Sequence, residues 1–242
     1  LVLRHYIEML TEYLHYTSTQ ESPEIYHKWV CLTIAAAALE RNVWLDRGFY
    51  KIFPNLYTIL IGDSGKFKKS TAIEIGKDVL FRVENSKPQV MEGQITLPKL
   101  INDMGGMISD PITGKFVPKS RIYLLAPELA VFLHDQQAPE MVQFLTDLYS
   151  GKTKPWHYKT KTRGEVQLDS PCINLLGAST AVWLSCGLTN SDFGGGFTGR
   201  CMFIVARTPR PPMPHPTISE AQHASFNKCV ETLSRLRTLR GE

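Results

Sequence analysis

The sequence predicts an α/β fold with a mostly parallel central sheet, flanking helices and β-hairpin insertions. Two observations support this prediction. Continuous apolar runs end abruptly at polar residues, and helical patterns lie between these runs. Four runs read as strands buried on both faces and begin at residues 56, 121, 172 and 201. Buried strands separated by helices are typical of parallel sheets, whose ligands lie at the carboxyl ends of the strands.

Composition and charge set the broad class of the protein. The 242 residues are 43% hydrophobic and 21% charged, which is typical of a globular protein. The formal net charge of +4 is compatible with a nucleic-acid partner but does not require one. Five scattered cysteines without a CxxC pair predict a reduced protein in the cytoplasm. No apolar run reaches the roughly 18 residues that a membrane helix needs, so no membrane partner is expected.

Three segments are expected along the chain: an N-terminal helical segment (1–42), a core (43–208), and a proline-rich linker with a C-terminal helix (209–242). The N-terminal segment carries two helical patterns, and Ser22 is predicted to cap the second, with Pro23 at its first position. The C-terminal helix is predicted to begin at Ser219.

The core alternates the four buried strands with shorter elements. A helix is predicted from about Lys69 to Phe81, and others over TLPKLINDMG, over 139–149 and over AVWLSCG. The stretch QVMEG predicts one more short strand. Hairpins are predicted over 42–55, over MISDPITGKFVP and, exposed to solvent, over KPWHYKTKTRGEVQLDS.

A glycine-containing loop follows the first buried strand. It departs from the phosphate-binding pattern G-x-x-x-x-G-K-[ST], because Phe67 stands where the second glycine belongs. A strand, a loop with two glycines and a helix start still suit a nucleoside triphosphate. The residues predicted to bind ATP are Gly62, Asp63, Ser64, Gly65, Lys66, Phe67, Lys68, Lys69, Ser70 and Thr71.

The loop contains two candidate phosphate lysines. The lysine on the outer phosphates normally stands directly before the hydroxyl that binds the metal, and only Lys69 does so, with Ser70 next. We therefore predict that Lys69 binds phosphate and Ser70 binds Mg²⁺, in a loop one residue longer than usual. Lys68 is the alternative phosphate lysine, and a surface turn with a basic helix start is the alternative to any nucleotide site.

Two further candidates follow the second and third buried strands. Glu128 is predicted to activate the attacking water or hold Mg²⁺, although Pro127 stands where an aspartate usually precedes it. The alternative is an acid that favours a helix N-terminus. Ser179, or Thr180 beside it, is predicted to sense the γ-phosphate, and capping of the helix near Ala181 is the alternative.

Two basic features complete the candidates. Arg200 follows three consecutive glycines and is predicted to act as an arginine finger in a neighbouring subunit; a surface arginine is the alternative. The hairpin alternates basic residues with Trp156, His157 and Tyr158, which suits phosphate contact and base stacking, although a solvated face is equally expected. Its predicted DNA-binding residues are Lys152, Lys154, Lys159, Lys161 and Arg163.

These pieces occur in one order between residues 25 and 207, from VWLDRGFYKIFPNLYTILIGDSGKFKKSTA to GGGFTGRCMFIVA. In that order the chain resembles the DUF3987-type P-loop ATPases of phages and mobile elements, which are related to primase-associated, superfamily-III-like helicases. The resemblance implies an AAA+ or RecA-like P-loop NTPase core, a hexameric ring and a role in DNA replication. It also implies Lys69 as the phosphate lysine and Arg200 as the finger, while Pro127 departs from the pattern.

The expected function is therefore that of an ATP-driven DNA helicase or translocase subunit. It would bind ATP and Mg²⁺, act on single-stranded DNA as a homo-hexamer, and work in the cytoplasm of a bacterial host. A nucleotide-gated loader or scaffold with little hydrolysis is the alternative that Pro127 favours. A monomeric small-molecule kinase using the same loop is a third option.

Overall fold

The computed structural model describes residues 2–83, 89–110, 114–133, 138–150, 155–160, 164–187 and 196–241. Its helices are α1 Val2–Tyr16, α2 Glu24–Leu39, α3 Lys69–Phe81, α4 Leu97–Met104, α5 Leu129–Phe132, α6 Ala138–Tyr149, α7 Ala181–Gly187 and α8 Glu220–Thr238. Its strands are β1 Leu45–Asp46, β2 Lys51–Ile52, β3 Tyr57–Ile61, β4 Gln89–Glu92, β5 Met107–Ser109, β6 Phe116–Pro118, β7 Arg121–Ala126, β8 Trp156–Thr160, β9 Gly164–Leu168, β10 Cys172–Ser179 and β11 Cys201–Val205.

Five strands form the central sheet, in the order β11-β3-β10-β7-β4, and every neighbouring pair is parallel. The α/β prediction is confirmed, and the four apolar runs and QVMEG supply the five strands. Because the strands are parallel, their carboxyl ends meet at one edge of the sheet and their amino ends at the other. These are called the carboxyl edge and the amino edge below.

Both faces of the sheet are covered, which explains the continuous apolar runs. Within β3 the side chain of Leu60 faces the core under α1, α2, α3 and α8. Its neighbours Ile59 and Ile61 face the core on the opposite side, which contains α4, α5 and α6. Residues from all three predicted segments meet in the first core, for example Tyr13, Leu60 and Leu233.

Three antiparallel hairpins, β1–β2, β5–β6 and β8–β9, lie outside the sheet, as predicted. The prediction that β8–β9 is exposed is wrong for one of its faces. Leu168 is fully buried, and Trp156 packs edge-to-face on Phe144 with ring centroids 5.2 Å apart. Strand alternation explains this arrangement, because every second side chain turns toward the core.

The helix starts agree with the sequence at one end of the chain and differ at the other. Ser219 caps α8 through a reciprocal pair of hydrogen bonds with Gln222, as the pattern suggests. The prediction that Ser22 caps α2 is wrong: Pro23 occupies the N-cap position, and the Ser22 hydroxyl donates to the carbonyl of Lys68, 2.8 Å away. Within the described ranges, no helix combines the length and apolarity that crossing a bilayer requires.

Candidate functional site

A cavity of about 690 Å³ lies at the carboxyl edge of the sheet, where β3, β7 and β10 end. The backbone N–H of Gly62 donates to the carbonyl of Ser179 across 3.3 Å and joins the loop after β3 to the end of β10. Predicted site residues in the wall of this cavity are Ser64, Gly65, Lys68, Lys69, Ser70, Thr71, Glu128 and Ser179. The remaining loop residues, Gly62, Asp63, Lys66 and Phe67, lie outside this wall.

The loop backbone has the turns that an anion cradle needs. Gly65 has a φ of +73°, and Lys68 adopts a left-handed conformation with φ +47° and ψ +41° directly before α3. A left-handed lysine costs about 1–2 kcal/mol, so surrounding contacts have to hold it. The first turn of α3 contains no acidic residue, so the positive end of the helix dipole faces the loop without a carboxylate in that turn.

Lys69 points into the loop. Its Nζ donates to the carbonyls of Gly62 at 2.6 Å and Asp63 at 3.2 Å. Burial lowers the pKa of Lys69, and the nearby charge of Asp63 opposes that shift. The ammonium therefore lies inside the curve of the loop that follows β3.

Lys68 points elsewhere. Its Nζ lies 3.6 Å from a carboxylate oxygen of Glu21, in the turn between α1 and α2. Glu21 is also bound on its other oxygen, which accepts the backbone N–H of Met213 at 2.7 Å. The two lysines thus diverge, and the register that pairs Lys69 with Ser70 is the one whose lysine enters the loop.

Phe67 explains the departure from the glycine pattern. Its side chain is buried and packs edge-to-face on Tyr26, with ring centroids 6.5 Å apart. Gly62 lies so close to both rings that a Cβ there would come within 2.7 Å of the Tyr26 hydroxyl and 2.8 Å of Phe67. Phe67 therefore supports the loop from the core side, and Gly62 is required by close packing.

Two side chains from the N-terminal segment hold the loop at its ends. The Tyr26 hydroxyl donates to the carbonyl of Ile61 at 2.6 Å, and the Ser22 hydroxyl donates to that of Lys68 at 2.8 Å. Neither residue is predicted from the sequence to belong to the site. No local signal marks them, because both act across 35 or more positions of the chain.

Glu128 faces the loop from the end of β7. It occupies the N-cap position of α5, yet its side chain makes no capping hydrogen bond, and it is exposed. It is the one acidic side chain among the described residues in the wall of this cavity. The geometry therefore leaves its carboxylate available to a ligand, while Pro127 before it offers no second acid.

Ser179, the last residue of β10, and Thr180 after it take the two roles between which the sequence did not decide. Thr180 caps α7, since its Oγ1 accepts the backbone N–H of Trp183 at 3.1 Å. Ser179 is buried, lines the cavity and donates from Oγ to the carbonyl of Thr180 at 3.3 Å. Helix capping thus belongs to Thr180, and Ser179 is the hydroxyl at the cavity wall.

Arg200 does not join the cavity of its own chain. It precedes β11 at the amino edge, because Cys201 pairs with Tyr57 at the start of β3. Five strand residues, about 16 Å, separate it from the loop. Its Nη1 donates to the carbonyl of Gly196 at 2.6 Å, and its guanidinium lies 5.9 Å from the centre of the Tyr149 ring. A role at a phosphate would need the cavity of another subunit.

The hairpin β8–β9 contains one described member of the predicted DNA-binding set, Lys159; Lys152, Lys154, Lys161 and Arg163 lie outside the described residues. Lys159 Nζ lies 3.3 Å from Glu165, whose other oxygen is 2.7 Å from His157 Nδ1. That the aromatics stack on bases stays a prediction, and in the structure both side chains are partly buried. Trp156 and Tyr158 stack on each other at 5.9 Å and pack against the core.

The cavity wall suits a metal ion that is coordinated by protein oxygens and phosphate oxygens together. Ser70 and Glu128 line the same cavity, as a hydroxyl and a carboxylate. Across the described ranges, no group of three or more His, Cys, Asp or Glu side chains is placed to hold an ion. Mg²⁺ commonly keeps water and takes one or two protein oxygens plus phosphate, which fits this pair.

Comparison with known proteins adds no relative to this picture. A scan of protein families finds none that matches the chain, and a search of curated proteins finds no match. The resemblance to phage and mobile-element ATPases therefore stays a prediction from the quoted residues.

Proposed function

We propose that this chain is a P-loop NTPase that binds ATP with Mg²⁺ and hydrolyses it at the carboxyl-edge cavity. The observation that carries the proposal is the position of Lys69. Its Nζ lies inside the loop after a central parallel strand, and Glu128 lies in the wall of the same cavity. A fixed cation within a loop of that kind is what binding of β- and γ-phosphates requires.

The roles of the residues follow from their positions. Lys69 exchanges its two carbonyl contacts for phosphate oxygens, and the N–H groups of the loop and of the first turn of α3 donate to the same phosphates. Ser70 would hold Mg²⁺ through its hydroxyl, and the ion would supply positive charge beside the phosphates. Ser179 presents its hydroxyl at the end of β10, where it can contact the γ-phosphate or its water.

Glu128 is the proposed general base. Its carboxylate takes a proton as water attacks the γ-phosphorus, the bond to the β,γ-bridging oxygen breaks, and ADP and phosphate leave. No side-chain capping bond occupies this carboxylate, and the dipole of the four-residue α5 gives it little competing stabilisation.

The proposal also includes coupling of ATP hydrolysis to movement on DNA. Arg200 lies at the edge opposite its own cavity, so a ring that stacks one chain's amino edge against the next chain's loop would complete each site. Lys159 and His157 alternate with the inward aromatics of β8 and are exposed, so they face away from the core. We propose a homo-hexamer that moves on single-stranded DNA, with backbone phosphates on this outward face.

A nucleotide-gated module with little turnover is the second candidate, and Pro127 favours it. P-loop NTPases usually hold Mg²⁺ with an aspartate at the end of the strand that carries Glu128. With Pro127 at that place, the described wall offers one carboxylate for both metal and water.

ATP hydrolysis with and without single-stranded DNA, in the wild-type chain and in Glu128→Gln, tests the proposal. The wild-type chain should hydrolyse ATP faster with DNA. Glu128→Gln should bind ATP normally but hydrolyse it at least about 100-fold more slowly. Tight ATP binding without wild-type turnover would support the module instead. A chain that does not bind ATP would overturn both candidates.

A further inference from the structure

A second and larger cavity, of about 910 Å³, lies at the amino edge of the sheet. The starts of β4 and β7, the hairpin β5–β6 and the C-terminal ends of α2 and α8 surround it. It is at the opposite end of the strands from the nucleotide cavity, and the two walls share no residue. None of the site residues predicted from the sequence lies in its wall.

Basic side chains outnumber acidic ones in the wall of this cavity. Its basic residues are Lys115, Lys119, Arg121, Arg237 and Arg240, and its acidic residues are Glu40, Asp103 and Asp110. Asp103 is already 2.6 Å from Lys99, a lysine outside this wall, and Asp110 lies 3.9 Å from Arg240.

The centre of the cavity wall is one carboxylate between two guanidiniums. Glu40 lies 3.5 Å from Arg121 Nη1 through one oxygen and 3.2 Å from Arg237 Nη1 through the other. All three side chains are largely buried, with 13%, 18% and 11% of their surfaces exposed. The Nε atoms of both arginines are buried and have no partner among the described residues. The group therefore carries one more positive charge than negative.

A half-compensated pair of buried guanidiniums is costly by itself. Removing ions from water costs several kcal/mol each, and one carboxylate offsets this for two arginines only in part. Asn42 also accepts a hydrogen bond from Arg121 at 3.0 Å through Oδ1, which leaves its NH₂ group as a donor in the same wall. An incoming anion would find charge and donors together there.

We propose that the amino-edge cavity binds a phosphate group, carried by a small phosphorylated ligand or by a nucleic-acid backbone. Guanidinium groups bind phosphate through paired N–H donors in a fixed plane, which favours phosphate over a simple halide. Glu40 competes with the phosphate for both arginines and so sets the affinity. The proposal does not rest on ATP hydrolysis, because the two cavities are separate.

The test titrates the Lys69→Ala variant of the 242-residue chain with pyrophosphate by calorimetry, so that the loop site does not contribute. Saturable binding at one site per chain is expected. Glu40→Gln should tighten it about tenfold, because the competing carboxylate is removed, and Arg237→Gln should weaken it about tenfold, because a charge-assisted hydrogen bond to phosphate is lost. Arg4→Gln, at an exposed position of α1 outside this wall, is the control and should change nothing.

A merely structural network predicts a different pattern: Glu40→Gln would destabilise the fold and leave pyrophosphate affinity unchanged. Absence of saturable binding, or unchanged affinity in Glu40→Gln, overturns the proposal. If Arg237→Gln does not fold, Lys119→Gln replaces it and should weaken binding at least twofold. Competition by a short oligo-dT would identify a nucleic-acid strand as the source of the phosphate, whereas pyrophosphate binding without that competition identifies a small ligand.

Discussion

The hydroxyl of Tyr26 donates a 2.6 Å hydrogen bond to the carbonyl of Ile61, the last residue before the loop. The ring of the same tyrosine packs on Phe67 within the loop. One side chain of α2 thus fixes both the entry of the loop and its interior. We infer that the loop keeps its shape through this buried contact, where the usual pattern has a second glycine.

Tyr26→Phe should weaken ATP binding about fivefold, because it removes one buried hydrogen bond worth about 1 kcal/mol and leaves the packing intact. Tyr13→Phe is the matched control, since its buried hydroxyl has no partner among the described residues. That control should keep wild-type affinity. Equal ATP dissociation constants for the two variants, measured by fluorescence titration, would show that the contact does not position the loop.

Much of the frame around the loop follows from the sequence. The apolar runs predict the strands because a strand buried on both faces has no polar side to interrupt it, and α3 begins at Lys69 as predicted. The support of the loop was not predictable. Ser22 and Tyr26 contact it across 46 and 35 positions, and such pairings depend on how α2 packs on β3 rather than on any local pattern.

The sequence also did not predict which way the β8 side chains face or at which edge of the sheet Arg200 lies. The alternation in β8 predicts that basic and aromatic side chains lie on different faces, yet only packing decides that Trp156 and Tyr158 turn inward. Arg200 precedes a strand in the sequence, and only the parallel pairing of β11 with β3 places it at the amino edge, away from its own loop.

His27 should make the stability of the protein depend on pH. Burial, reinforced by the charge of Arg210, lowers the pKa of His27 to about 3. In the unfolded chain His27 takes up a proton near pH 6.5, whereas in the folded chain it stays neutral there. The unfolded chain therefore binds more protons below that pH, and the free energy of unfolding decreases as the pH is lowered. The loss between pH 7.5 and 5.5 should be about 1.4 kcal/mol.

His27→Leu should remove that part of the pH dependence, because both ring nitrogens lack partners among the described residues and an apolar side chain suits the site. Urea denaturation at the two pH values measures it in both proteins. An identical loss in the variant would mean that His27 is not buried in its neutral form.

Arg200 should act only across a subunit boundary. Arg200→Ala is expected to lower turnover by a factor on the order of 10³ without weakening ATP binding in the same chain. Mixing it with Lys69→Ala should restore turnover, because some boundaries then join an intact Lys69 cavity to an intact Arg200. Mixed assemblies that form, as seen by native mass spectrometry, yet stay inactive would contradict this role.

The central claim is that Lys69, and not Lys68, binds the phosphates of ATP. Equilibrium ATP binding to Lys69→Ala and Lys68→Ala tests it most directly, with circular dichroism to check that both fold. Loss of binding in Lys69→Ala, with at most a few-fold weakening in Lys68→Ala, is the predicted result, because Lys69 enters the loop and Lys68 turns toward Glu21. Equal loss in both variants, or loss only in Lys68→Ala, would contradict the account.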